Sequence, residues 1–94
     1  MIHLIVTFEA SSEKLAAFRQ ILQQVKTDLP QVPGCQSVRI FNSTTNERVF
    51  TLVETWESES AHRAHIERVV QSGGWEHIRA HLVTDPLSSY LREV

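Results

Sequence analysis

The stretch Glu54-Thr55-Trp56-Glu57-Ser58-Glu59-Ser60-Ala61-His62-Arg63-Ala64-His65 decides how the chain is read. Trp56 closes a β-branched and aromatic run, Val49-Phe50-Thr51-Leu52-Val53, of the kind that forms a strand. Ser58 then offers an N-cap hydroxyl, and Glu59 places negative charge in a first turn, where the helix dipole favours it. A strand therefore ends at Trp56 and a helix starts at Ser58, carrying His62 and His65.

Upstream, Arg48 to Trp56 reads as one strand of a hairpin, Asn42 to Asn46 as its loop and Cys35 to Phe41 as its partner. Pro33-Gly34 makes the turn before that partner. Leu15, Phe18, Leu22, Val25 and Leu29 recur at steps of three and four, one apolar stripe of a helix that Ser11-Ser12-Glu13 caps and Pro30 ends. Residues 2–9 are apolar on both alternating faces, Ile2, Leu4, Val6 and Phe8 one way and His3, Ile5, Thr7 and Glu9 the other.

Downstream, the Ser58 helix runs to Gln71, and Gly73-Gly74 breaks it. A short helix from Trp75 to Leu82 follows, and Leu87 to Val94 reads as a last strand. The order β-α-β-β-α-β, with the second helix broken in two, is the split βαβ of an α+β, ferredoxin-like fold with a four-stranded antiparallel sheet. Helices cover one face of such a sheet. The two-sided apolar first strand asks for cover on the other, which a second copy supplies, so the sheet faces predict a homodimer.

At 94 residues the chain is read as one domain, 1–94, with little margin for burying a core alone. It is 41% hydrophobic and 21% charged, with a net charge of −2 and scattered basic residues, which gives no electrostatic footprint for nucleic acid. Cys35 is the only cysteine, so neither an internal disulfide nor a thiolate metal cage can form. The first residues do not make a signal peptide and no apolar run reaches the ~20 residues of a membrane span, so a cytoplasmic protein with no membrane partner is expected.

The strand-end Trp56, the Ser58-Glu59 cap, the downstream His65 and the Pro33-Gly34-Cys35 turn together resemble the antibiotic biosynthesis monooxygenase family of dimeric α+β barrels. That resemblance implies a pocket between sheet and helices in each subunit. It also implies cofactor-independent oxygenation of a small aromatic, polyketide or quinol-like molecule. The substrate is an electron-rich phenol or enol that reacts with O₂ itself once a base has taken its proton.

His65 stands where such chains carry a helical His and is the candidate catalytic base. A structural His bonded across the core is the competing reading. Thr7, Trp75 and His62 are candidate substrate-binding residues. Thr7 joins the pocket only if its strand face meets the helices and lies in the subunit interface otherwise. The haem-degrading branch of the family shows Asn on the first strand and Trp on the second helix, where this chain has Thr7 and His65. His77 or His81 alone would remain as axial ligand.

No cofactor is expected, since the chain has no Gly-rich phosphate loop and no Cys cluster. His62/His65 and His77/His81 have the spacing of metal-binding pairs but lack a carboxylate signature, and exposed helix histidines explain them. Glu54 and Arg39, on neighbouring strands, read as a pair across the hairpin or across the dimer, one that fixes register rather than doing chemistry. Two further readings remain beside the oxygenase. One is a non-catalytic, small-ligand-binding or stress-response dimer on the same scaffold. The other is an isomerase or lyase, which needs a second acid/base opposite His65.

Overall fold

A computed structural model describes residues 1–94. The elements are β1 (Ile2–Glu9), α1 (Leu15–Asp28), β2 (Cys35–Asn42), β3 (Val49–Trp56), α2 (Glu59–Gln71), α3 (Gly74–Arg79) and β4 (Leu87–Leu91). The strands form one open antiparallel sheet in the order β2-β3-β1-β4, giving the expected α+β, ferredoxin-like topology.

In β1 and β3 the even-numbered residues face the helices. Leu4, Val6, Phe8, Phe50, Leu52, Glu54 and Trp56 are buried, while the odd-numbered residues between them are half-exposed. Phe18 of α1 is fully buried between Phe8 and Phe50, with ring centroids 5.7 and 5.5 Å away. Such pairs add about 0.5–1.5 kcal/mol each to the area they bury. A second cluster joins Trp56, Leu29 and Cys35, so the end of α1, the start of β2 and the end of β3 share one core.

Helix ends follow local chemistry with one exception. Ser58 caps α2, its Oγ accepting from the Ala61 N–H at 3.1 Å. Ser11 makes no side-chain cap. A 3₁₀ turn, Ser12–Lys14, leads into α1 instead, and the Ser11 N–H donates to the His81 carbonyl at 2.9 Å, which fixes the entry of the chain. Pro30 ends α1 as the stripe predicts, sitting within a 3₁₀ turn, Leu29–Gln31.

Helix α3 stops at Arg79, short of Leu82. Ala10 bridges Leu82, and the Val83 N–H donates to the Glu9 carbonyl at 3.0 Å, so extension of the β1 ladder draws this segment out of the helix. Strand β4 ends at Leu91 rather than Val94, where its pairing with β1 runs out at His3.

The sheet face away from the helices carries Ile5, Val49, Val53, Phe41, Leu87 and Leu91 among Thr7, Thr51, Thr55 and His3. Phe41, Leu87 and Leu91 are 44%, 79% and 46% exposed. Arg39 belongs to this face as well, its guanidinium 5.0 Å from the Phe41 ring centre. Glu54 points the other way, so the expected Arg39–Glu54 pair does not form. Val38 lies opposite Glu54 and Arg39 opposite Val53, and alternation sends the two charges to opposite faces.

The Pro33-Gly34 turn needs its glycine twice over. Gly34 has φ +90°, and a Cβ there would sit 2.6 Å from the Ala61 Cβ of α2. Gly73, between α2 and α3, has φ +82° but open space around it. Gly34→Ala therefore costs about 2 kcal/mol or more, against about 1 kcal/mol for Gly73→Ala, where only the backbone conformation resists. Thermal unfolding of both variants checks this, and equal melting temperatures would refute the close approach.

Candidate functional site

Between α1 on one side and α2 with α3 on the other, the sheet leaves a cleft of about 460 Å³. Its walls are largely apolar, among them Phe8, Val25, Leu52, Val69, Trp75 and Ile78. Its polar residues are Glu54 on the floor, His62 and His65 on α2, His77 on α3, and Gln24 and Asp28 on α1.

Glu54, His62 and His65 gather round one buried indole. The Trp56 Nε1–H donates to Glu54 Oε1 at 2.9 Å. The His62 ring meets the indole edge-on with centroids 5.2 Å apart, and the His65 ring lies over it at 5.5 Å and an interplanar angle of 31°. Helix α2 produces this arrangement by docking its first turn over Trp56, against Gly34, so that residues one turn apart reach the same ring system.

The environment shifts all three groups towards their uncharged forms. Burial pushes the Glu54 carboxyl above its ordinary range, opposed in part by the Trp56 N–H. Burial lowers the pKa of His62, with His65 and Arg63 adding repulsion. Burial also lowers that of His65, with Arg68 adding repulsion. The His62 Nδ1 is 2.7 Å from the Tyr90 hydroxyl of β4, which fixes that ring. His65 makes no hydrogen bond within the chain, so both its nitrogens remain available.

Of the residues singled out from sequence, His65, His62 and Trp75 line the cleft. His62 is also buried, unlike the exposed helix histidine its spacing suggests. Thr7 is not among the lining residues. It lies on the opposite sheet face, its Oγ1 3.1 Å from Thr51 Oγ1, because the Phe8 side of β1 is the one that meets the helices. Neither Glu54, read from sequence only as a partner for Arg39, nor Tyr90 is among the site residues the sequence predicts. Glu54 had a signal, a carboxylate in phase with the apolar positions Phe50, Leu52 and Trp56. Tyr90 had none, since strand β4 alternates weakly. Cys35 is buried and its thiol pKa is raised by burial and by Glu54, the state of an inert thiol. No three His, Cys, Asp or Glu side chains converge to hold a metal, and His81 turns its Nδ1 to the His77 carbonyl at 2.8 Å.

This fold is that of a known family. The sequence model described as antibiotic biosynthesis monooxygenase matches residues 1–84, and the chain belongs to that family. Solved structures agree in fold. A crystal structure of an antibiotic biosynthesis monooxygenase superposes with a TM-score of 0.88 at 18% identity, over 100% of this chain and 99% of that one. Rv0793 from Mycobacterium tuberculosis gives 0.85 at 18% identity, over 99% and 94%. SnoaB, a cofactor-independent oxygenase from Streptomyces nogalater, gives 0.81 at 11% identity, over 98% and 91%. No curated protein matches the chain.

The raised Glu54 pKa has a thermodynamic signature. As pH climbs through about 4.3, unfolded Glu54 ionises while the native carboxyl still holds its proton, so this group costs the native state stability as pH rises towards its native pKa. His62 and His65 act at the other end. Their native rings resist protonation, so stability falls as pH drops through about 6.5. Glu54→Gln removes the first effect and keeps an oxygen for the Trp56 N–H. Urea unfolding should show the variant gaining on the native protein between pH 4.5 and pH 8, and a constant difference would contradict the raised pKa.

Proposed function

We propose that the cleft is the active site of a cofactor-independent monooxygenase for a small aromatic, polyketide or quinol-like substrate. The observation that carries this reading is His65, free of hydrogen bonds within the chain and tilted against Trp56, whose N–H is held by the buried Glu54, with both groups lining a largely apolar cleft. A cleft meant only to hold an apolar ligand has no need to gather three titratable groups. Burial shifts His65 towards its neutral, basic form and Glu54 towards its protonated, acidic form, which separates the two jobs of the reaction.

An activated methylene flanked by aromatic rings loses a proton to His65, and the resulting carbanion, spread over the rings, is oxidised by O₂. A carbon–oxygen bond forms, and the peroxide takes back the proton from the imidazolium. Loss of the second hydrogen to His65 breaks the O–O bond, and the departing hydroxide takes the Glu54 proton as water. The balance is RCH₂R′ + O₂ → RC(=O)R′ + H₂O. Proton return from His65 to Glu54 restores both groups. Trp75 and Val69 wall the ring system, and His62, held by Tyr90, faces it from α2.

The same reading includes a homodimer through the open sheet face. Ile5, Val49 and Val53 on the two central strands, with the exposed Phe41 on one edge strand and Leu87 and Leu91 on the other, spread an apolar surface across this face. Pairing two such faces removes it from water and closes the open sheet into a barrel.

Two measurements test these proposals. Oxygen uptake with a panel of anthrones and fused-ring hydroquinones should be accelerated by the protein, with one ¹⁸O atom entering the product. His65→Ala should lower turnover by roughly 10²- to 10⁴-fold without unfolding the chain. Retained binding of the panel with no acceleration would assign the cleft to a non-catalytic ligand-binding protein. Light scattering at micromolar concentration should give twice the mass of the chain, and Leu87→Glu should reduce it to the single-chain mass. A stable monomer before substitution would end the dimer proposal.

A further inference from the structure

The cleft has an electrostatic sign that its chemistry does not require. None of the nine Lys and Arg residues of the chain lines it. Its rim carries Asp28, the last residue of α1, and the Gln24 amide one turn earlier donates to both carboxylate oxygens, at 3.0 and 2.9 Å. That bidentate contact orients an exposed carboxylate that would otherwise turn freely. The carboxyl end of α1 adds its own partial negative charge beside Asp28, Leu29 and Val32, all of which line the cleft.

The charged and titratable groups facing this region from the other elements do not reverse the sign. His62 and His65 on α2 are held neutral, and Glu54 on β3 is at most an anion. Arg68 and Arg63 are exposed on α2 outside the lining, and Arg63 lies 5.5 Å over the Tyr90 ring. His77 on α3 is exposed at the rim. The amino end of the six-residue α3 reaches the cleft at Gly74 and Trp75, with Glu76 in its first turn.

We infer that Asp28, positioned by Gln24, is a specificity-determining residue that makes the cleft select uncharged fused-ring substrates over anionic ones. Carboxylated, sulfonated and phosphorylated molecules of the same shape are rejected. The inference names the substrate class within the proposed oxygenase reading, yet it concerns binding and is measured without turnover. It fits that chemistry, because a substrate that enters uncharged and ionises inside is paired at once with the imidazolium it has created.

Three bicyclic probes of matched size test it by calorimetry at pH 7.5: 2-naphthol, 2-naphthoate and 2-naphthylmethylammonium. The uncharged and cationic probes should bind, and naphthoate should bind about tenfold more weakly than naphthol, the order expected of one rim charge partly screened by water. Asp28→Lys should remove or invert the discrimination, read as the ratio of naphthoate to naphthol affinity. Gln24→Ala, which frees the carboxylate without deleting it, should narrow the ratio. Circular dichroism and melting temperature establish that both variants are folded. Naphthoate binding as tightly as naphthol, a ratio unmoved by Asp28→Lys, or no binding of naphthol would each overturn the inference. The expected ratio together with no oxygen uptake would keep the charge filter and remove the oxygenase.

Discussion

The buried indole N–H of Trp56 is the constraint on which the rest of the structure turns. Trp56 is wholly buried, and a donor taken out of water there must find an acceptor. The acceptor is the carboxyl of Glu54, two residues earlier on the same face of β3. A packing requirement thereby carries an acidic group into the floor of the cleft. The same indole supplies the surface on which His62 and His65 rest, and α2 reaches it only because Gly34 leaves room for Ala61. Core, turn, helix position and titratable cluster are consequences of seating one side chain.

Burial then does for chemistry what sequence alone does not. A carboxyl and two imidazoles in water would be ionised or half-ionised near neutrality. Inside the cleft their pKa values move in the directions that favour the uncharged forms.

Elements with strong local signals were legible in the chain. The alternation of Phe50, Leu52 and Trp56, the Ser58 cap, the α1 stripe and the Pro33-Gly34 turn each carry their structure within a few residues. Less legible was anything settled by contacts distant in sequence. Ser11 makes no side-chain cap and is tied to His81 through its backbone N–H, and Leu82 leaves its helix to pair with Ala10. Thr7 could not be assigned a side because both faces of β1 are apolar, and only the docking of α1 and α2 separates them. His62 and Tyr90 meet across 28 residues, a contact that no local pattern announces. Glu54 is readable by phase, as a charged residue in a run of inward positions, whereas adjacency suggests Arg39 as its partner and the register puts the two on opposite faces.

The parity of β1 and β3 has an evolutionary consequence. Even-numbered residues of both strands belong to the helix-covered core and the cleft, and odd-numbered ones to the uncovered face. Point substitutions can therefore retune the cavity without touching the outer face, and the reverse, so the two surfaces can diverge independently. Insertions and deletions enjoy no such freedom. Losing one residue within β3 would exchange the two sets over the remainder of the strand, turning Glu54 and Trp56 outward together. Lineages carrying this fold should thus vary in side chains along these strands and vary in length only in the connections between them.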